Sequence, residues 1–383
     1  MPKKSEPLAI TGLGMVSSLG LGVVTSCAAA RGGLSRATEL DYTVVNTEDN
    51  QPEPVMGHAV PSMTRGFEGV GRMLRLGQLA FEDFRKSMNV NVDEINPARC
   101  GLLLVLPDPD RSSRAIGEEE GKKRAEHINP LLKSAKEPCD TEEIIARFRQ
   151  VTGFQAGERN AVIIYSGNAG LAIALDRATG RLQTGEWESC IIGALDSLVE
   201  PPVLQWLFDQ GRLKCADNPV GMQPGEAGVF ILLEQKSRAV RRRAAIHGLL
   251  CASATCFEDN HLFTGKPSSG KGFAKAIGQL RQILDTGIEP FWLISDLNGE
   301  VYRSMEFGIV RVRLAPEIPS FRNAKSLYPA ISFGDTGSAG AAVSLCMVLR
   351  AFARDYAPSH NALILSSADS GERGAVYVQK LLS

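Results

Sequence analysis

Short apolar runs alternate along this chain with stretches in which apolar residues recur every three or four positions. The runs predict strands at 8–11, 101–106, 161–165, 189–193, 227–233, 247–255, 291–296, 362–366 and 375–378. Most carry Val, Ile or Leu on both alternating faces, the pattern of strands covered by helices on either side. Helical spacing predicts helices over 69–87, 140–152, 168–184, 202–210, 272–285 and 337–354. Strands alternating with helices define an α/β architecture with buried sheets. The segment 108–137 is polar and charged and reads as a surface excursion containing short helix. LEQKSRAVRRR reads as a helical connector between an N-terminal half, 1–245, and a C-terminal half, 246–383, of similar α/β texture. Within it, Arg241 to Arg243 read as a solvated face.

The opening run, LAITGLGMVSSLG, follows Lys3 and Lys4, and VTSC a few residues on is faintly like a lipoprotein cleavage site. Glu6 and Pro7 interrupt the approach, and the glycines and paired serines weaken any helical core of an export signal. A buried strand followed by a glycine turn fits better. The longest apolar runs fall short of a membrane-spanning helix.

Composition narrows the field. The 383 residues carry 42 Lys+Arg against 43 Asp+Glu, a net charge of -1, which leaves no electrostatic footprint for nucleic acid or an acidic membrane surface. Neither is an expected partner. The eight cysteines (27, 100, 139, 190, 215, 251, 256 and 346) form no CxxC pair and sit mostly in apolar runs, as reduced thiols of a cytoplasmic protein do. The five histidines show no metal-ligand spacing, so neither a metal nor another cofactor is expected. GKPSSGKG at 265–272 satisfies the glycine and lysine spacing of a phosphate loop. It lacks the Ser or Thr after the lysine, where Gly272 stands, and no apolar strand leads into it. A solvated glycine-serine loop is the expectation. Neither GxGxxG after a strand nor GxSxG occurs.

Four segments, in order, resemble the β-ketoacyl synthases of the thiolase superfamily. LAITGLGMVSSLG is similar to their first strand and turn. The stretch from GALDS through MQPGEAGVFILLEQKSRAVRRR is similar to their glycine-rich strand end, GEGA-like turn and basic helix. IEPFWLISDLNGEVYRSME resembles the segment carrying their first active-site histidine, and AISFGDTGSAGAAVSLCMVL the loop and helix carrying the second. The resemblance implies a thiolase-like five-layer αβαβα fold of two related halves, dimeric around the strand 161–165, with the active site between the halves. In that family a cysteine at a helix N-terminus takes the acyl group as a thioester, and two histidines assist decarboxylation of a malonyl unit.

All three residues are missing at the matching positions. The nucleophile falls in YSGNAGLAIAL, at Asn168 by counting back from GALDS or at Gly167 by matching the helix-start glycine. A two-residue shift selects Ser166, whose hydroxyl is either a helix cap or an acylatable nucleophile. The first histidine position falls on Asn298, the second on Asp335, and the lysine before it on Ala330. An amide exchanges no proton near pH 7, and a carboxylate opposes the negative charge that develops during decarboxylation. In the closing loop SSADSGERGAVYV, Asp369, Glu372 and Arg373 replace small or apolar residues and are candidate pocket-loop residues. With Glu300 they suggest either a new acid–base site or an internally satisfied polar network. Glu226 and Glu306, acidic in the family as well, are read as structural.

The function expected is that of a catalytically degenerate ketosynthase-like protein serving as a binding, assembly or adaptor scaffold, with enzymatic activity left open and, if present, of the acyltransferase type. The implied partners are an acyl carrier protein, a second thiolase-fold chain in a homodimer or heterodimer, or a protein associated with bacterial secretion. An acyltransferase or hydrolase using Ser166 or the carboxylates, and an active condensing enzyme, remain as alternatives.

Overall fold

The structure, a computed structural model, describes residues 6–48, 50–88, 95–109, 111, 141–155, 157–284 and 291–382. The predicted excursion at 108–137 and the predicted first residue of the 140–152 helix lie largely outside them.

Among the described residues the strands are β1 Leu8–Ser17, β2 Thr38–Val45, β3 Pro52–Gly57, β4 Cys100–Leu106, β5 Ala161–Tyr165, β6 Ser189–Ser197, β7 Glu226–Gln235, β8 Gly248–Phe257, β9 Trp292–Ser295, β10 Ser326–Leu327, β11 Asn361–Ser367 and β12 Glu372–Gln379. The longer helices are α1 Val23–Arg31, α2 Gly69–Ser87, α3 Thr141–Thr152, α4 Gly170–Gln183, α5 Pro201–Asp209, α6 Lys271–Leu284, α7 Val301–Leu314 and α8 Gly340–Ala353. β2 and β3 form a hairpin, and the other ten strands one sheet in the order β10-β9-β11-β12-β8-β1-β7-β6-β4-β5. The order reads as two copies of one motif. From β1 outward the strands run β7, β6, β4, β5, with antiparallel, antiparallel, parallel and parallel pairing. From β8 outward they run β12, β11, β9, β10, with the same four senses. The copies join where Leu8 to Ile10 pair with Gly248 to Leu250.

Strands apolar on both faces have two helical layers to satisfy. In β4, Leu103 and Val105 face a central cluster, while Leu102, Leu104 and Leu106 face an outer one with Leu76, Phe81 and Phe84 of α2 and Phe148 of α3. In β11 the alternation repeats. Ala362 and Ile364 turn to the center, Leu363 and Leu365 to a second outer cluster with Ile277 and Leu280 of α6 and Val310 of α7. The central cluster holds α4 and α8 between strands of both halves. GAAVSLCMVLRAFA is apolar nearly all round because α8 is covered on every side, as a core helix must be. Five layers result, αβαβα, with the starts of α4 and α8 meeting at the seam.

The opening strand is longer than its pattern suggests. It runs to Ser17, with all ten residues buried, and the expected glycine turn lies inside it. Gly14 is there because the α2 backbone is in contact: a Cβ would lie 2.3 Å from Ala80 O and from Phe84 N. The connector is helical at Lys236–Arg241. Arg242, expected in solvent, instead donates from Nε and Nη2 to the carboxylate of buried Glu234. Helices α1 and α7 and the β2–β3 hairpin were not anticipated.

Candidate functional site

The two copies of the fold present the same device at the seam. Ser166-Gly167-Asn168-Ala169-Gly170 leads into α4, and Thr336-Gly337-Ser338-Ala339-Gly340 into α8. Each passes through a glycine with positive φ, 48° at Gly167 and 52° at Gly337, and a 3-10 turn before the helix begins at Gly170 or Gly340. At Gly337 the missing side chain matters twice, since a Cβ there would also lie 2.1 Å from Asp196 Oδ2. That oxygen accepts the Ser338 N–H (2.9 Å), so a carboxylate at the end of β6 faces the α8 start. Asp196 Oδ1 accepts from Arg111 Nη1 at 2.9 Å.

From the other half, the ends of β9, β11 and α7 bring a dense charge network. Asn298 Nδ2 donates to Asp335 Oδ2 and to Glu300 Oε2, each at 2.7 Å. Arg212, on the chain after α5, donates to Glu300 Oε1 (2.6 Å) and Oε2 (3.0 Å) and to Asp369 Oδ2 (2.7 Å). Arg303 donates to Asp296 Oδ2 (2.8 Å), the Ser367 carbonyl (2.7 Å) and Asp369 Oδ1 (2.9 Å). Arg212 and Arg303 are 7% and 5% exposed, so both guanidinium groups depend on these partners. Asp335 receives only neutral donors, the Asn298 amide and the Gly337 N–H (2.8 Å).

Burial and pairing split the carboxylates into two kinds. Burial pushes Asp335 and Asp296 above their ordinary range, and neither Arg303 nor the surrounding hydrogen bonds bring them back. Burial would raise Glu300 and Asp369 too, but the pull of Arg212 and Arg303 outweighs it and holds both low.

A cavity of about 70 Å³ opens here, walled on one side by these groups and on the other by Trp206, Leu207, Met222 and Phe263. Pockets that take drug-sized ligands measure roughly 300–1,000 Å³. Of the sequence candidates, Ser166, Gly167, Asn168, Asp335 and Asp369 line it, and Asn298 stands behind Asp335. Glu372 and Arg373 do not line it. Arg373 is fully buried elsewhere, donating to Glu306 Oε1 and the Ala368 carbonyl, both at 2.8 Å, and to Tyr302 Oη at 2.9 Å. Glu372 accepts from Ser370 Oγ. Glu226 is held by Arg72, Val60 N and Ser197 Oγ. It and Glu306 are thus the buried structural partners expected. Ser166 occupies the capping position but makes no capping hydrogen bond.

Among the described residues no histidine or cysteine lines the cavity. His58 packs behind Gly334, away from the cavity, and burial lowers its pKa. Burial pushes the Cys27 and Cys251 thiols up to about 12. No group of three His, Cys, Asp or Glu side chains among the described residues is placed to hold a metal, and no helix there is long and apolar enough to cross a membrane. The phosphate-loop look-alike is occupied by the protein's own anion. Glu258 accepts from the N–H groups of Ser269 and Gly272 and from Ser269 Oγ, filling the start of α6.

Arg111, Arg212, Arg303 and Asp196 were missed in the sequence. A buried arginine looks like a surface one until its partners are known, and these partners are 66 to 157 residues away for the pairs Arg303–Asp369, Arg111–Asp196 and Arg212–Asp369. The segments resembling the family's active-site motifs, and a Ser/Thr-Gly-x-Ala-Gly repeated at 166–170 and 336–340, were the legible signals of a shared site.

The architecture defines a class, a layered α/β protein of two like halves with a polar site at their seam. No protein-family model and no curated protein matches the chain. Solved structures do. One is a type II polyketide synthase acyl-carrier protein in complex with its ketosynthase bound to the hexaketide, with a TM-score of 0.75 and 17% identity over 99% of this chain and 100% of that one. The ishigamide ketosynthase/chain length factor matches with a TM-score of 0.71 and 17% identity over 99% and 100%. An oxazolomycin ketosynthase domain from Streptomyces albus JA3453 matches with a TM-score of 0.73 and 12% identity, covering 98% of this chain and 75% of that one. The fold is thus the thiolase-like fold of ketosynthases and chain length factors.

Proposed function

We propose that this chain is a non-condensing, ketosynthase-like binding or assembly protein. The observation that carries the reading is the state of the seam. Where a condensing enzyme keeps a thiol, two imidazoles and room for an acyl chain, this chain has Gly167 with its neighbors, Asn298 and Asp335. The last two are hydrogen-bonded to each other at 2.7 Å inside a network held by Arg212 and Arg303. Proton shuttling by the amide is chemically excluded near pH 7, and Asp335, when ionised, repels an enolate. The cavity of about 70 Å³ leaves little space for a thioester and its pantetheine arm.

Two solved neighbors suggest the partner class, one pairing a ketosynthase with an acyl-carrier protein and one being a ketosynthase/chain length factor. A carrier protein or a second thiolase-fold chain is therefore the partner we favour, in the cytoplasm. One observation favours a second reading: Ser166 lines the cavity with no capping bond, so its hydroxyl is available for acyl transfer or hydrolysis.

Intact-mass spectrometry after incubation with malonyl- and octanoyl-acyl carrier protein and the matching acyl-CoA esters separates the two. The expected result is an unchanged mass. An acyl increment that disappears in Ser166→Ala establishes acyl transfer and overturns the scaffold reading.

A further inference from the structure

The two copies of the fold differ in what their outer helices show to solvent. Helix α3 lies between β4 and β5, and α7 between the equivalent strands β9 and β10. On α3 solvent meets Glu142, Glu143, Ala146, Arg147 and Gln150, with Val151 its one large exposed apolar residue. On α7 it meets Val301, Ser304, Met305, Gly308 and Val312. Val301, Met305 and Val312 are 54%, 48% and 77% exposed, and their helical spacing sets them in one stripe. An outer helix at this place in the fold is thus built with a polar face in one half, and nothing in the architecture demands the apolar stripe in the other.

Two further features bear on what covers it. Gly308 lies in mid-helix with nothing within 4 Å of where a Cβ would sit and no positive φ to require glycine, although glycine weakens a helix. It leaves a shallow gap between Met305 and Val312 where another helix can approach closely. Cations also rim the stripe on both sides. Arg313 donates to the Ser269 carbonyl (3.1 Å), in the loop that leads to exposed Lys271 at the start of α6. Opposite, Arg311 donates to the Phe321 and Arg322 carbonyls (3.0 and 3.1 Å), beside exposed Arg322 and Lys325. Among the described residues none of these five is paired with a carboxylate. Of the acids nearby, Glu300 and Glu306 are buried and paired, Glu317 is held by Arg281, and Asp259 stands next to Asn260, whose carbonyl accepts from Tyr302 Oη in the first turn. Asp285 and Glu289, outside the described residues, are too few to reverse the balance.

We propose that the outward face of α7 docks an acidic amphipathic helix of a partner protein, its apolar side on Val301, Met305 and Val312 and its carboxylates against the flanking cations. An apolar stripe at helical spacing is matched by the apolar face of a second helix, and a basic rim selects an acidic one. A second copy of this chain on the same face would set these cations against their like. The inference deepens the binding and assembly reading and rests on it.

Fluorescence anisotropy on the full chain tests it, with a labelled helical peptide carrying leucine at i, i+4, i+7 and i+11 and glutamate on both flanks. The peptide binds saturably and weakens as salt is raised. The same residues in shuffled order, or lysine in place of glutamate, bind at least about tenfold more weakly. Met305→Glu, which puts a carboxylate into the apolar contact, also costs at least about tenfold, and Val312→Glu does the same should the first variant not fold. Lys271→Glu with Arg313→Glu lowers the affinity and flattens its salt dependence. No saturable binding, equal binding of the shuffled peptide, or an affinity unchanged in Met305→Glu and Val312→Glu overturns the proposal. So does a wild-type dimer that Met305→Glu makes monomeric, which gives the face to a second copy, and so does binding to phosphatidylserine vesicles without binding to the peptide. Failure with no acyl adduct leaves the scaffold reading standing and removes the face alone, whereas an adduct on Ser166 beside intact peptide binding removes the scaffold reading and leaves the face.

Discussion

At the scale of single residues, the closing loop shows why a charge pattern in sequence is ambiguous. Asp369, Glu372 and Arg373 are near neighbors along the chain, yet they serve different structures. Asp369 accepts from two arginines in the cavity wall, while Arg373, wholly buried, closes on Glu306 behind it. The Arg373–Glu306 pair is inaccessible to water, so removing one partner strands a desolvated charge. Arg373→Met is therefore expected to cost about 3–5 kcal/mol in urea unfolding, and Glu306→Leu a similar amount, with the double variant recovering much of the loss because an apolar pair of like volume needs no compensation. Additive single losses would show that the two side chains do not depend on each other. The sequence revealed that these positions were chemically altered. It could not reveal pairing, because strand alternation and two residues of spacing decide whether a charge meets the cavity or the outer helical layer.

At the scale of elements, legibility followed burial. Strands apolar on both faces and the uniformly apolar α8 announced themselves, and β5 and α2 were placed at their observed ends. Helix α7 did not, because its inward face carries Arg303 and Glu306 among Phe307 and Val310, and charges on the buried side erase the apolar stripe. The β2–β3 hairpin hid for the opposite reason, since only Val44 and Val55 are buried apolar residues in its strands. Among the described residues two strands end the sheet, the two-residue β10 and the five-residue β5. β5 pairs with β4 on one side and ends the sheet on the other, with Ala161, Val162, Ile163 and Tyr165 half-buried. An apolar strand at the end of a sheet invites a second copy. We expect a dimer joined across β5 by light scattering at micromolar concentration, and a monomer for the Val162→Lys, Ile163→Lys double variant. A wild-type monomer, or a double variant still dimeric with native circular dichroism, removes β5 as the interface.

At the scale of the whole molecule, the seam between the two like halves is where a duplicated fold has freedom to specialise. Their sheets and central helices are fixed by packing, but the loops that meet there answer only to one another. Arg212 belongs to the first half and its two carboxylate partners, Glu300 and Asp369, to the second, so this side chain fastens the halves across the site. The fastening carries a pH signature. Glu300 and Asp369 are held below the ordinary carboxylate range, where unfolded Asp and Glu titrate near about 3.9 and 4.3. A group with a lowered folded pKa contributes stability that is complete above its unfolded value and is lost as pH falls through the folded one. Asp335 and Asp296, raised by burial, act with opposite sign: their ionisation costs stability above their elevated values, and acidification relieves that cost. Total stability against pH mixes the two, so the informative quantity is the difference between wild type and Arg212→Gln. That difference should be largest near neutral pH, on the order of 3–5 kcal/mol for a broken buried pair, and should shrink as pH falls through the acid range, because the carboxylates take up protons first in the variant, where burial is no longer offset by Arg212, and last in the wild type, where the arginines hold both low. Urea midpoints at stepped pH measure it. A difference independent of pH would mean that Arg212 stabilises the molecule through its stacking on Trp206, 5.5 Å from the ring centroid, and that the halves are joined there by packing and not by charge.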